Sequence, residues 1–165
     1  MDNKGYPEEH ELEKIRSWDY KDVFEMIEYI AERWNYGDYG FKREWEYNCL
    51  FNRYELHLWL HTCGWSGNEE IIEAILDNVW FKGLWYAEWR RGGHYKFIIN
   101  PFNIGFKTVF EYCKDNNVSR QYIHKIKDRF EWIIISKNKR LLRMSNKCQN
   151  IETGKILNTT KAPTI

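Results

Sequence analysis

Apolar positions recur at helical spacing early in the chain and at strand spacing soon after, so helices are expected first and a hairpin next. The acidic opening predicts a helix over about 8–17. Asp19 then stands as a cap before a second helix over about 20–35, whose stripe is Val23, Phe24, Ile27, Ile30, Ala31 and Trp34. Residues 35–40, NYGDYG, read as a turn. From Phe41 the period changes: Phe41, Trp45, Tyr47, Cys49 and Phe51 alternate with Lys42, Glu44, Glu46 and Asn48, which predicts a strand with one apolar face. After a turn at 52–54, Leu56, Leu58 and Leu60 alternate with Glu55, His57, Trp59 and His61 in a second strand. Ser66 and Glu69 have capping-box spacing ahead of a helix with Ile72, Ile75, Leu76 and Val79 as its buried edge. Two strands over about 84–90 and 94–99 flank Arg91-Gly92-Gly93, a hairpin signal. The order ααββαββ predicts an α+β unit, an antiparallel sheet with helices over one face.

Beyond residue 100 the pattern shifts again. In residues 109–126, VFEYCKDNNVSRQYIHKI, each residue type suits two short helices crossing over a tight turn. Cys113 is small where the second helix must cross close above the first. Asn117 tolerates the positive φ such a turn requires. Val118 is an apolar plug, Ser119 a cap, and Ile123 and Ile126 form one buried edge of the second helix. With that edge inward, Ser119, Arg120, Gln121, His124 and Lys125 must project outward, and all of them can donate hydrogen bonds to phosphates or base edges. Residues 132–136 and 141–144 read as strands of a hairpin whose turn, 137–140, carries Lys137, Lys139 and Arg140.

These residues resemble the helix-turn-helix modules of small phage and bacterial DNA-binding proteins, in particular those with VSRQYIHK or a close variant in the recognition helix. The resemblance spans about 106–129, and departs from the motif at Asn116, usually apolar, and Asn117, usually Gly. It implies double-stranded DNA as partner, with Ser119, Arg120, Gln121, His124 and Lys125 at the groove. The basic hairpin resembles a wing that follows the phosphate backbone. The stretch HTCGWSGNEEII…WRRGGHYKF is similar to short tailed-phage proteins, a likeness that assigns no site residue.

Charge strengthens this division. The 165-residue chain carries a net +1, but residues 1–100 hold 12 Lys and Arg against 19 Asp and Glu, a balance of −7. The remainder holds 13 against 5, a balance of +8. An acidic part followed by a basic part is what a nucleic-acid-binding module attached to another domain shows. The expected organisation is an acidic aromatic-rich domain over 1–100, the helix-turn-helix with its hairpin over 101–146, and a polar tail over 147–165. A homodimer is expected, because one recognition helix buries too little for tight specific binding.

Eight of the nine tryptophans precede residue 100. Aromatics left at the surface there would make an interaction patch. That supplies the alternative reading, a phage inhibitor of a host defence protein acting by protein contact through the first domain. The opening MDNKGYPEEHELEK has neither the basic start nor the apolar run of a signal peptide or anchor, and no segment has the length of a membrane span. A cytoplasmic protein with reduced thiols is expected, since Cys49, Cys63, Cys113 and Cys148 lack CxxC spacing.

No enzyme, cofactor or metal is expected. The chain has no GxGxxG, no phosphate-binding GxxxxGK[ST] and no HExxH. His57 and His61 would fall about 13 Å apart on the predicted strand, half-exposed beside Trp59 and too distant to share an ion. Cys63, before a helix start, is expected to be a buried packing residue and not a nucleophile. Arg90, Arg91 and His94 around the diglycine have the chemistry to meet an anion, with a solvated hairpin tip as the preferred reading.

Overall fold

A computed structural model describes residues 1, 5–136 and 139–144, with the side chains of Ser136 and Met144 excepted; Lys137, Cys148 and the tail 147–165 lie outside the described residues. The chain is α+β and divides into two compact units, Met1–Ile104 and Gly105–Ile165.

In the first unit the elements run α1 (Glu9–Arg16), α2 (Val23–Ala31), α3 (Gly37–Gly40), β1 (Phe41–Asn48), β2 (Arg53–His61), α4 (Ser66–Asp77), α5 (Val79–Trp85), β3 (Tyr86–Arg90) and β4 (His94–Ile99). The four strands form one antiparallel sheet in the order β1-β2-β4-β3. Leu56, Leu58 and Leu60 on β2 and Phe97 and Ile99 on β4 occupy its inner face, all nearly inaccessible. Against them lie apolar residues of the helices: Leu12 and Ile15 of α1, Ile27 and Ile30 of α2, Ile71, Ile72 and Ile75 of α4, and Phe81 and Trp85 of α5. Phe81 meets Phe97 edge-on at 5.1 Å, an arrangement favoured by the ring quadrupoles.

Several local expectations are corrected. The second helix starts later, because the Asp19 carboxylate accepts from Lys21 N and tightens residues 20–22 into a 3₁₀ turn. It ends at Ala31, where Arg33 N and Trp34 N bond three residues back. Residues 37–40 are one helical turn after Tyr36, whose φ is 58°. The apolar face predicted for β1 is buried only in part: Phe41 and Trp45 are half-buried and meet Trp34 and Phe24, but β1 is an edge strand, and Tyr47 and Phe51 are more than half exposed. That strand stops at Asn48, and the turn covers 49–52 with Asn52 at φ 51°.

Ser66 is not the cap of α4. Trp65 occupies that position, and the Ser66 hydroxyl instead donates to Tyr6 Oη at 3.1 Å. Val79, expected at a buried edge, is 78% exposed. The cause is Asn78, whose backbone leaves the helical region (ψ 101°), so α4 ends and α5 begins in a new direction. The third strand consequently starts at Tyr86 and not Leu84. At the diglycine turn a Cβ on Gly93 would stand 2.1 Å from Thr62 Oγ1, and Gly93 O accepts from Thr62 N at 3.0 Å. Only glycine combines that contact with φ 77°.

The second unit contains β5 (Lys107–Thr108), α6 (Val109–Asn116), α7 (Arg120–Lys125), β6 (Phe130–Ser136) and β7 (Lys139–Met144). Its sheet has the order β5-β7-β6, antiparallel throughout. Ile123, Phe130 and Leu142 are the buried centre, with Val109, Tyr112, Cys113, Val118, Ile126 and Trp132 packed around them. The first hairpin strand begins at Phe130, two residues before its predicted start. Lys139 and Arg140, expected in the turn, belong to β7, because a register shift after Ile134 lets Ser136 pair with Lys139.

Candidate functional site

The site predicted from the sequence lies on α6, α7 and the segment between them. Thr108 caps α6: its hydroxyl accepts from Glu111 N at 3.2 Å, while the Glu111 carboxylate accepts from Thr108 N at 2.9 Å. This reciprocal capping box is spelled in the sequence as Thr-Val-Phe-Glu over residues 108–111, a local signal of where α6 starts. At the other end Asn117 adopts φ 50°, ψ 44°. Val118 N then bonds Cys113 O at 3.0 Å and Asn117 N bonds Lys114 O at 3.4 Å, so two carbonyls of the last turn of α6 are satisfied. Asn116, polar where the motif is apolar, donates from its side chain to Tyr112 O and stays exposed. The chain can thus reverse within a few residues and start α7 at a defined angle.

Ser119 caps α7 by accepting from Tyr122 N at 3.2 Å. Ile123 is 1% exposed and Ile126 half-buried, so the opposite side of this short helix faces solvent. Ser119, Arg120, Gln121, His124 and Lys125 are all exposed there. Phe110 and Tyr122 are exposed as well, and the Arg120 guanidinium lies 6.0 Å from the Phe110 ring centre. Neither aromatic carries a polar signal that marks an outward position in the sequence.

Not every cation of the unit is available to a ligand. Arg143, 9% exposed, donates from Nε to Glu131 at 3.0 Å and lies over Phe106. Lys107 bonds Asp115 at 2.6 Å, and that bond raises its pKa above the ordinary lysine value. Lys139 and Arg140 are exposed on β7, next to the end of the hairpin. β5 was missed altogether, since two residues carry no period; it lengthens the hairpin sheet by pairing Lys107 with Leu142 and Thr108 with Leu141.

The first unit's candidates fall elsewhere. His57, expected half-exposed, is 8% exposed, with Nδ1 3.1 Å from the Glu46 carboxylate. Burial holds its pKa below the ordinary histidine value. His61 stacks on His94 at 3.9 Å and approaches Cys63 Sγ at 3.7 Å. Cys63 is exposed, at φ 56°, contrary to the packing role expected of it. Among the described residues no group of three or more His, Cys, Asp or Glu could hold a metal ion. Among them also, no helix is long and apolar enough to cross a membrane.

No protein-family model matches the chain, and neither the curated proteins nor the solved structures yield a match.

Proposed function

We propose that the second unit binds duplex DNA through α7, as a phage-type sequence-specific regulatory protein. The observation that carries this reading is the sidedness of α7. One edge is sealed by Ile123, and Ser119, Arg120, Gln121, His124 and Lys125 all face solvent on a helix capped at its start. Arg suits guanine and Gln adenine in two-point contacts at the major-groove edge. Lys139 and Arg140 on the hairpin, with Lys137 beside them in sequence, supply phosphate neutralisation. Pairing of two copies would supply the area that one short helix lacks.

The test is binding of the full chain to duplexes selected from a random pool. Arg120→Ala and Gln121→Ala are each expected to relax the preference at one base pair by about 1–3 kcal/mol while the fold is retained. If selected duplexes bind both variants with the wild-type preference, α7 does not read bases. The hairpin gives an independent outcome. Changing Lys137, Lys139 and Arg140 together to Ala should weaken binding to all sequences alike and reduce the slope of log affinity against log salt by about one per lost contact. An unchanged slope removes the hairpin from the interface.

The alternative is a phage inhibitor that meets a host protein through the first unit. It is favoured by the exposure of Val79, Trp80 and Trp89 on α5 and β3, at 78, 59 and 53%. A full-length chain that forms a stoichiometric complex with one host protein, yet leaves every duplex unbound, would make it the leading account.

A further inference from the structure

The outer face of the four-stranded sheet carries a cleft of about 460 Å³ that the DNA reading leaves without a role. Residues directly opposed in an antiparallel ladder share a face, so the register itself defines two rungs across the sheet. One runs Lys42, Trp59, Lys96 and Glu88; the next runs His61, His94 and Arg90. All of these line the cleft, and Tyr39, 87% exposed, stands at its rim.

The electrostatics of the cleft run against those of its surroundings. The first hundred residues carry −7, yet the charged side chains lining the cleft are Lys42, Arg90 and Lys96 against Glu88 alone. Glu88 is held by Arg90, and Lys42 pairs with Glu44 at 3.0 Å. Among the described residues Lys96 meets no carboxylate. Its ammonium lies 5.2 Å from the centre of the Trp59 ring, and that of Lys42 lies 5.1 Å away. A cation–π contact places an ammonium without neutralising it. The indole is therefore flanked by two ammonium groups, that of Lys42 shared with Glu44 and that of Lys96 without a carboxylate partner among the described residues.

We propose that this cleft binds a nucleotide, with the base against Trp59 and the phosphate among Lys96, Lys42 and Arg90. The volume is in the range of small-molecule sites. A neutral sugar would use the indole and leave the cations without an anion. Inorganic phosphate would use the cations and leave the indole bare. A base joined to a phosphate meets both, and stacking on an aromatic side chain is indifferent to which base it is. The nucleotide can be free or the end of a single strand.

The experiment uses the full chain with AMP and ATP by calorimetry, and with a 5′-phosphorylated, fluorescently labelled oligothymidylate by anisotropy. Binding of at least one probe is expected, with roughly a tenfold loss of affinity in Trp59→Ala. Trp59→Phe should recover most of it, and Lys96→Gln should weaken binding and flatten its salt dependence. AMP bound as tightly as the oligonucleotide identifies a free nucleotide as the ligand; binding of the oligonucleotide alone identifies a strand. Arg120→Ala and Gln121→Ala should leave these affinities unchanged, so failure here is separable from failure of duplex recognition. No binding of any probe at millimolar concentration overturns the proposal. So does wild-type affinity in a folded Trp59→Ala, or pyrophosphate binding as tightly as ATP.

Discussion

Ile123→Asp is expected to unfold the second unit. Ile123 is 1% exposed and sits with Phe130 and Leu142 at the centre of a small core, packed by residues from α6, β6 and β7. A carboxylate there finds no water, so it must either protonate or open the core, at a cost of more than about 4 kcal/mol. A core of this size supplies only about 3–5 kcal/mol of net stability. The substitution therefore removes about as much free energy as the unit has. In a heteronuclear spectrum of the full chain the dispersed amide signals of residues 107–142 should collapse, and duplex binding should vanish with them. Ile123→Val, which leaves only a small void, should cost about 1 kcal/mol and leave the spectrum dispersed. Retention of native signals in Ile123→Asp would mean that α7 is not anchored through this residue.

Asn78→Ala should produce the largest loss in the first unit. Asn78 is 2% exposed and makes three hydrogen bonds. Its Nδ2 donates to Ile15 O and Trp18 O, both at 3.0 Å, tying the end of α1 to the α4–α5 junction. Its Oδ1 accepts from Phe81 N at 2.9 Å and caps α5. Loss of the cap costs about 1 kcal/mol. Trp18 O, deprived of its partner, adds roughly 1–2 kcal/mol, and Ile15 O, which keeps the longer bond from Trp18 N at 3.3 Å, adds roughly 1 kcal/mol. The sum, about 3–4 kcal/mol, is a large share of the 5–15 kcal/mol typical of a domain of this length, so the unit should still fold but with a much lower denaturation midpoint. Asn78→Asp separates the contributions: it keeps the cap acceptor and turns an oxygen toward the two carbonyls. It should be destabilised too, by losing the donors and not the cap. A midpoint unchanged in both variants would show that the α1–α5 tie adds nothing to stability.

Local chemistry made much of the second unit readable. The positive φ of Asn117, the cap at Ser119 and the burial of Ile123 are decided within a few residues of each position. The period of β2 and the diglycine turn are equally local, since side chains alternate on any strand and Gly92 and Gly93 both take positive φ. Asn78 was not legible in this way. Its neighbours continue a helical stripe, and the break is stabilised by carbonyls some sixty residues away, at Ile15 and Trp18. The apolar residues of β1 misled for a related reason. Alternation marks a face, but whether it is buried depends on which strand is at the edge of the sheet.

The same distinction applies to function. Composition and spacing by themselves determined an acidic part followed by a basic one, and the outward set from Ser119 to Lys125, because helix periodicity needs no partner to assign an outward side. The cleft at Trp59 was decided only by tertiary structure. Lys42, Trp59, Lys96 and Arg90 come from four separate strands, and they stand together because the register of three antiparallel ladders aligns them. Register follows from which apolar faces are buried together, and that is a property of the packed sheet, not of any one strand.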